Sequence, residues 1–149
     1  MKRNLLLFLI LLYGCISVYA ILPIRCPSNL PLFCKCENQM DKFRVTCHNG
    51  SNINTILSSL DPEDTIDKLE IHNCEPKIKK LQILPPMKVK SLTIDGCGIE
   101  EIDENAWNNV ALELDELKLT NNLLKKIPSL IQLTNLISAD FSHNQVCYR

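Results

Sequence analysis

The chain of 149 residues has little of several features that commonly carry function. Aromatic residues make up 5% of it, so its core must be aliphatic. Its 16 basic and 17 acidic residues give a net charge of -1, which argues against a general nucleic-acid binder, because such a protein needs a basic face. It has four glycines and contains no G-x-S-x-G, H-E-x-x-H or glycine-rich phosphate loop. The length predicts a single domain, and the missing motifs predict that it is not an enzyme; no cofactor is expected.

Long apolar runs are also absent, except at the start of the chain. Lys2 and Arg3 precede an apolar run over residues 5–12, and residues 18–20 (Val-Tyr-Ala) fit a small-residue cleavage site. The pattern predicts a secretory signal peptide over residues 1–20. The alternative is a membrane anchor, but the run to Tyr13 has nine residues, whereas a helix needs ~20 apolar residues to cross a bilayer. No later stretch is long enough either. We therefore expect a secreted, extracellular protein without a membrane span.

Cysteines, by contrast, are abundant. There are eight, and seven remain once Cys15 in the leader is set aside, so they cannot all pair within the chain. Cys26, Cys34, Cys36 and Cys47 form a cluster with the pattern C-x7-C-x-C-x10-C. A zinc site is the rival interpretation, but C-x-C is a poor chelate spacing for tetrahedral zinc. In a secreted chain the cluster favours two disulfides, and spacing alone does not decide their connectivity.

The cysteine cluster ends in a predicted strand. Residues 43–47 alternate between apolar and polar types, as a half-buried strand does. We therefore interpret residues 21–52 as a cysteine-rich N-terminal cap on a structure that follows. Just after the strand, Asn49 begins an Asn-Gly-Ser sequon, which predicts a glycoprotein if the chain is secreted.

Residues 53–149 carry about four copies of the pattern L-x-x-L-x-L-x-x-N/C-x-L. The L-x-L pairs start at Leu69, Leu92, Leu117 and Ala139, with spacings of 23, 25 and 22 residues, and Val45 of the cap lies 24 residues before the first. This period is that of a leucine-rich repeat. In each L-x-L the apolar pair points inward and its neighbours outward. No repeat buries its apolar side alone, so the coils must stack.

Two further features of the repeat are expected to lie in the interior. Residues 102–107 fit a short helical or 3₁₀ return, with Trp107 in the core on the convex side rather than as a binding anchor. The second feature is a side chain that turns inward at the bend after each strand. An asparagine there can form hydrogen bonds with backbone groups of neighbouring coils, and a cysteine does this less well. These ladder positions are Cys74, Cys97, Asn122 and Asn144.

The cap and repeats together resemble extracellular leucine-rich-repeat proteins with a cysteine-rich N-terminal cap. Slit, chaoptin, the small leucine-rich proteoglycans and Toll-like ectodomains belong to this group. A set of arthropod secreted proteins, including the non-catalytic subunit of a luciferin monooxygenase, is similar too. The resemblance covers residues 26–146. It implies an α/β fold: a right-handed solenoid with a parallel concave β-sheet and a mostly irregular or short 3₁₀/helical convex side.

The resemblance also implies roles for the cysteines. The family's cap joins its first cysteine to its third and its second to its fourth, which gives Cys26–Cys36 and Cys34–Cys47. Cys74 and Cys97 would be reduced thiols in successive coils. A disulfide between them is the alternative, since neighbouring strands lie ~4.8 Å apart.

The family usually has a C-terminal cap, which is missing here, so we expect a truncated form. The alternative is self-association at the uncapped end, with Cys147 supplying an intermolecular bond.

The predicted function is protein binding. Outward positions of a curved sheet vary freely, and no pocket is implied, so an extracellular protein or glycoprotein ligand is expected on the concave face. Alternatives are a solvated face without a ligand, a non-catalytic subunit beside a secreted enzyme, or a truncated receptor fragment. His48 and His72 could form a metal or acid/base pair, but we interpret them as surface residues. The expected ligand-binding residues are Lys68, Glu70, His72, Ser91, Thr93, Asp95, Glu116, Lys118, Thr120 and Asp140.

Overall fold

The computed structural model describes residues 26–27, 29–40, 42–48 and 52–147. The predicted signal peptide and the Asn49 sequon lie outside these residues. One short helix and eight strands follow in chain order: β1 (Cys34–Gln39), β2 (Lys42–His48), α1 (Ile53–Ser58), β3 (Thr65–His72), β4 (Lys80–Leu81), β5 (Lys88–Asp95), β6 (Glu101–Ile102), β7 (Glu116–Lys118) and β8 (Ser138–Asp140).

Six of the strands form one sheet in the order β1-β2-β3-β5-β7-β8. β1 runs antiparallel to β2, and every later neighbour is parallel. Val45 lies beside Leu69, Leu69 beside Leu92, Leu92 beside Leu117 and Leu117 beside Ala139. The repeat alignment is therefore confirmed residue by residue, and the chain forms a parallel-sheet solenoid of about four coils.

The core lies behind this sheet and is one continuous aliphatic cluster. Leu69, Leu92 and Leu117 are each 0% exposed, because the inward residues of successive strands stack on one another. Trp107 is 1% exposed, and its indole N–H donates to the Ser129 carbonyl of the next coil at 3.1 Å. Its predicted core position is confirmed, and it lies in the return between β6 and β7.

The convex returns are irregular. Within the described residues, α1 is the one α-helix and no 3₁₀ helix occurs, so the predicted helical return over residues 102–107 is not found. Residues 104–113 instead form successive turns. One reason is that the Ala106 carbonyl accepts the Leu84 N–H of the preceding coil at 3.0 Å. The side-chain amide of Asn109 also donates to the Leu84 carbonyl, at 2.8 Å. The Ala106 carbonyl, which a continuous helix would pair within itself, is thus bonded to another coil.

Three disulfides staple the solenoid. Cys26–Cys36 and Cys34–Cys47 form as the family resemblance implied. The expectation that Cys74 and Cys97 are reduced thiols is wrong, because the structure joins them. The parallel register continues past β3 and β5, with the Asn73 N–H donating to the Asp95 carbonyl at 2.9 Å, and it brings the two cysteine Cα atoms to 4.6 Å.

The last described coil leaves apolar side chains in solvent. Ile131 is 86% and Ile137 85% exposed, and Cys147 is an exposed free thiol. No helix among the described residues is both long and apolar enough to cross a membrane.

Candidate ligand-binding surface on the outer sheet face

Side chains that point away from the core cover the large sheet in three rows, which we call the outer sheet face. It corresponds to the predicted concave face. The parallel register places residues of one row side by side on neighbouring strands. The first row is Arg44, Lys68, Ser91, Glu116 and Ser138; the second is Thr46, Glu70, Thr93, Lys118 and Asp140; the third starts with His48, His72 and Asp95 and continues with Thr120 and Ser142.

All ten sequence-predicted site residues lie on this face, but they are not equally accessible. Nine are partly exposed, whereas Thr93 is 7% exposed at the centre of the second row. Its hydroxyl oxygen has no hydrogen-bond partner within the described part of the chain. Thr93 therefore offers little contact area to a ligand.

Glu70 is the centre of an ion-pair cluster on β2 and β3. Its carboxylate accepts from Arg44 Nε at 2.7 Å and Arg44 Nη2 at 3.2 Å, and pairs with Lys68 Nζ at 2.9 Å. Partial burial raises the pKa of Glu70, but the hydrogen bonds and charges of Arg44 and Lys68 outweigh it and lower the pKa to about 2. The carboxylate is thus held as an anion.

Asp95 is held in a similar way at the end of β5. Its Oδ1 accepts from Thr120 Oγ1 and Asn121 Nδ2, both at 2.6 Å, and its Oδ2 lies 3.4 Å from His72 Nδ1. Burial raises the pKa of Asp95, yet these three hydrogen bonds bring it below its ordinary value. Asp95 therefore joins the third coil to the histidine of the first.

Glu116 repeats the arrangement on β7. Its carboxylate accepts from Ser91 Oγ at 2.6 Å and pairs with Lys118 Nζ at 2.9 Å. The hydrogen bonds from Ser91 and Lys118 lower its pKa despite some desolvation. The three acids Glu70, Asp95 and Glu116 are thus fixed by neighbours on adjacent strands, and an incoming ligand meets a preorganised pattern of charge.

Two histidines stack at the edge of the face. The rings of His48 and His72 are 5.0 Å apart between centroids, with an interplanar angle of 16°. Among the described residues, no group of three or more histidine, cysteine or acidic side chains is arranged to hold a metal ion. The pair therefore presents two imidazoles to solvent beside Asp95.

The sequence reasoning missed the contribution of β1. Lys35 lies beside Thr46 and Glu37 beside Arg44, which extends the first two rows by one strand. An open groove of about 470 Å³ lies here, although no pocket was expected from the sequence. The signal was present in Cys34-Lys35-Cys36-Glu37, where the cysteines alternate with two charged residues.

Comparison with known proteins gives a distant similarity. No established family profile and no solved structure matches the chain. The chain is 26% identical over 123 residues to the leucine-rich repeat-containing protein egg-6 of Caenorhabditis elegans. The match covers 83% of this chain, which spans 12% of the length of that relative. This similarity, the stacked parallel strands and the disulfides together fit a leucine-rich-repeat protein.

Proposed function

We propose that the protein is a secreted leucine-rich-repeat module that binds an extracellular protein or glycoprotein through its outer sheet face. The main observation that supports this proposal is the register of the parallel strands in the large sheet. Outward side chains of six strands form continuous rows over one core, so they can be exchanged without disturbing the packing beneath. The similarity to a leucine-rich-repeat protein supports the same conclusion.

Binding rather than catalysis is the activity proposed for this face. A general acid needs a carboxyl group whose pKa is raised toward neutrality. The pKa values of Glu70, Asp95 and Glu116 are all lowered by hydrogen-bond donors. These carboxylates are suited to hold structure and to pair with ligand cations.

The binding proposal is tested with two matched ion-pair variants. The first, Glu116→Gln with Lys118→Gln, removes a pair at 2.9 Å on the outer sheet face. The second, Glu100→Gln with Lys125→Gln, removes a pair at 3.2 Å away from that face. Proteins that bind the immobilised wild-type chain are isolated from the source organism's extracellular fluid, and their affinity for each variant is measured by biolayer interferometry.

The sheet-face variant should weaken binding by about tenfold, equal to about 1.4 kcal/mol, and the other variant should leave it unchanged. The reverse pattern would move the site to the convex returns and would end the proposal for this face.

Secretion forms the second part of the proposal. Three disulfides in the described residues favour an oxidising compartment, where such bonds persist. Expression in eukaryotic cells should place the protein in the medium with residues 1–20 removed, and N-terminal sequencing should begin at Ile21. Retention of the leader would contradict the signal-peptide assignment.

A further inference from the structure

The two halves of the outer sheet face carry opposite net charge when histidine is counted as neutral. The half on β1, β2 and β3 presents three cations and two carboxylates, whereas the half on β5, β7 and β8 presents three carboxylates and one cation. These residues are Lys35, Glu37, Arg44, Lys68 and Glu70 in the first half, and Asp95, Glu116, Lys118 and Asp140 in the second. The line between β3 and β5 therefore separates a basic half from an acidic half.

A cation and a carboxylate without ion pairs lie at the two ends of this face. Lys35 on β1 is exposed and Asp140 on β8 is partly exposed, and within the described residues neither has an ion-pair partner. Both lie in the second row, Lys35 beside Thr46 and Asp140 beside Lys118. Since β1 and β8 are the two edge strands of the six-stranded sheet, the two residues lie three strands to either side of its middle line.

We propose that the outer sheet face binds a second copy of this chain, related by a two-fold axis that runs parallel to the strands between β3 and β5. The inference rests on the proposed function and names the protein ligand as the same protein. Such an axis sets β1 against β8 of the second copy, β2 against β7 and β3 against β5, with equal rows facing each other. Lys35 then faces Asp140 of the second copy, and two-fold symmetry makes this contact twice.

The same axis sets Arg44 against Glu116 of the second copy. Both residues have partners within the chain, but neither is saturated. Arg44 uses Nε and Nη2 on Glu70, its Nη1 has no partner within the described residues, and its side chain is 49% exposed. Glu116 accepts from Ser91 and pairs with Lys118, and a carboxylate has about four lone-pair sites. Arg44 can therefore bridge Glu70 and the second copy's Glu116 without breaking an existing pair.

The position of the axis follows from the like charges that it keeps apart. With the axis between β3 and β5, no two charges of the same sign lie directly opposite each other in the three rows. An axis along β5 would set Asp95 against itself, and an axis along β3 would do so to Lys68 and Glu70. An axis across the strands at the second row would also set Glu70 against itself. Like charges in contact oppose association, so the central axis is favoured.

Opposite charge on the two halves also favours a second copy over a uniformly charged ligand. A polyanion would be attracted to the half on β1, β2 and β3 and repelled by the half on β5, β7 and β8, and a polycation would show the reverse. A second copy turned about the central axis places the basic half of each chain on the acidic half of the other. Every chain therefore carries both surfaces that the contact needs.

The size of the face predicts a weak dimer. Five strand spacings of ~4.8 Å and two row spacings of ~6.8 Å make the facing area about 24 by 14 Å. A contact of this size buries less than about 1,200 Å² in total, which is typical of transient complexes. We therefore expect a dissociation constant of about 10 µM or weaker.

Sedimentation velocity of the full chain between about 5 and 300 µM tests the inference. The wild type should show a monomer–dimer equilibrium. The dissociation constant should rise about tenfold when the salt concentration is raised from about 0.05 to 0.5 M, because charges at an exposed contact are screened.

Charge reversal at the facing pair tests the two-fold arrangement itself. Lys35→Glu and Asp140→Lys each set like charges opposite each other at both symmetric contacts, so either change should raise the dissociation constant by about tenfold or more. An equimolar mixture of the two variants should associate within about threefold of the wild type, because each reversed side chain then faces an opposite charge.

Two controls lie away from this face. Lys126→Glu reverses an exposed charge on a convex return, and Cys147→Ser removes the exposed thiol, so both variants should associate as the wild type does. Arg44→Glu and Glu116→Arg provide a second mixing pair that does not depend on Asp140, whose Oδ1 accepts the Ser142 N–H at 2.9 Å. Circular dichroism verifies that every variant is folded.

A wild type that stays monomeric at 300 µM, single variants that associate as the wild type does, or mixtures that do not recover would overturn the inference. Association that needs Cys147 or does not respond to salt would also overturn it, because the contact would then lie at the last coil, where Ile131 and Ile137 are exposed. A monomeric chain that loses a different protein ligand in the variant Glu116→Gln with Lys118→Gln would end this inference and leave the proposed function standing.

Discussion

Asn122 shows how one buried side chain joins two coils of the solenoid. Its amide nitrogen donates to the Ile94 and Thr120 carbonyls, both at 2.9 Å, and its oxygen accepts from Cys97 N–H at 3.0 Å and Ile99 N–H at 3.2 Å. An amide offers two donors and an acceptor with two lone pairs, so every hydrogen-bonding group it has is used. The predicted ladder role of Asn122 follows directly from this chemistry.

Replacing Asn122 by alanine should therefore destabilise the protein more than its size suggests. The change leaves the Cys97 and Ile99 N–H groups and the Ile94 carbonyl buried without their partner. Each such group costs about 1–3 kcal/mol, so we expect a loss of about 3 kcal/mol or more in the free energy of unfolding, measured with urea. Asn108→Ala, at an exposed position, should change it by less than about 0.5 kcal/mol. Equal losses would show that Asn122 is not a structural ladder residue.

Glu70 predicts how stability depends on pH. Its pKa is about 2 in the folded protein against an ordinary 4.5, so its charge stabilises the folded state fully above about pH 5. That contribution is lost as the pH falls from about 4.5 to 2. The difference in urea midpoint between the wild type and Glu70→Gln should be present at neutral pH and shrink across this window.

Arg44→Gln is the companion change for Glu70. This change removes the bidentate partner of Glu70 and should raise the pKa of Glu70 toward its ordinary value. The pH range over which Glu70 loses its contribution to stability should therefore become narrower. If the difference in urea midpoint between the wild type and Glu70→Gln did not change with pH, Glu70 would not be held in the ion-pair cluster described above.

At the scale of the repeat element, the first two ladder positions use a covalent bond in place of an amide. Cys74–Cys97 closes a sequence separation of 23 residues, and loop-closure entropy gives about 3 kcal/mol for a loop of this size. The variant Cys74→Ala with Cys97→Ala should lose about this amount, measured by urea unfolding without reductant. Cys147→Ser, at the exposed thiol, is the control and should leave stability unchanged.

Thiol labelling in denaturant checks the same bond independently. For residues 26–147 of the wild type, one reactive thiol is expected, on Cys147. Three reactive thiols would restore the expectation of reduced cysteines at positions 74 and 97.

The strands of the large sheet could be predicted from the sequence, but the structure of the segments that connect them could not. A strand's two-residue alternation and the spacing of its leucines determine which residues are paired, so Leu69, Leu92 and Leu117 could be aligned by counting. The return over residues 104–113 depends on bonds to Leu84 of another coil, which no local pattern reveals.

The sheet-face chemistry was only partly predictable. Counting placed Glu70 and Asp95 on the face, but their hydrogen-bond partners follow from side-chain positions on neighbouring strands. One repeated backbone feature was not predicted. The residue before each ladder position has a positive φ, from 53° at Asn73 and Asn121 to 57° at His143 and 66° at Gly96. Asparagine and glycine favour this conformation, so the sequence did contain a signal for the turn.

At the scale of the whole molecule, the stapled cap and the solenoid act as one body. The buried cluster is continuous from Val45 on β2 to Leu133 in the last return, and Cys47 joins it directly to the cap. Coils that contact only their neighbours still unfold together when every interface is well packed. The outer sheet face is thus presented by a scaffold without an internal break in its core.

Trp107 provides the measurement of this cooperativity, because it is the one tryptophan and is 1% exposed. Its emission should be blue-shifted in the folded protein, and its urea transition should coincide with that of far-UV circular dichroism. The variant Cys34→Ala with Cys47→Ala changes the cap, far from Trp107 in sequence, and should move both transitions to lower urea together. A tryptophan transition that stays in place while the circular dichroism transition moves would show that the cap and the later coils unfold as separate units.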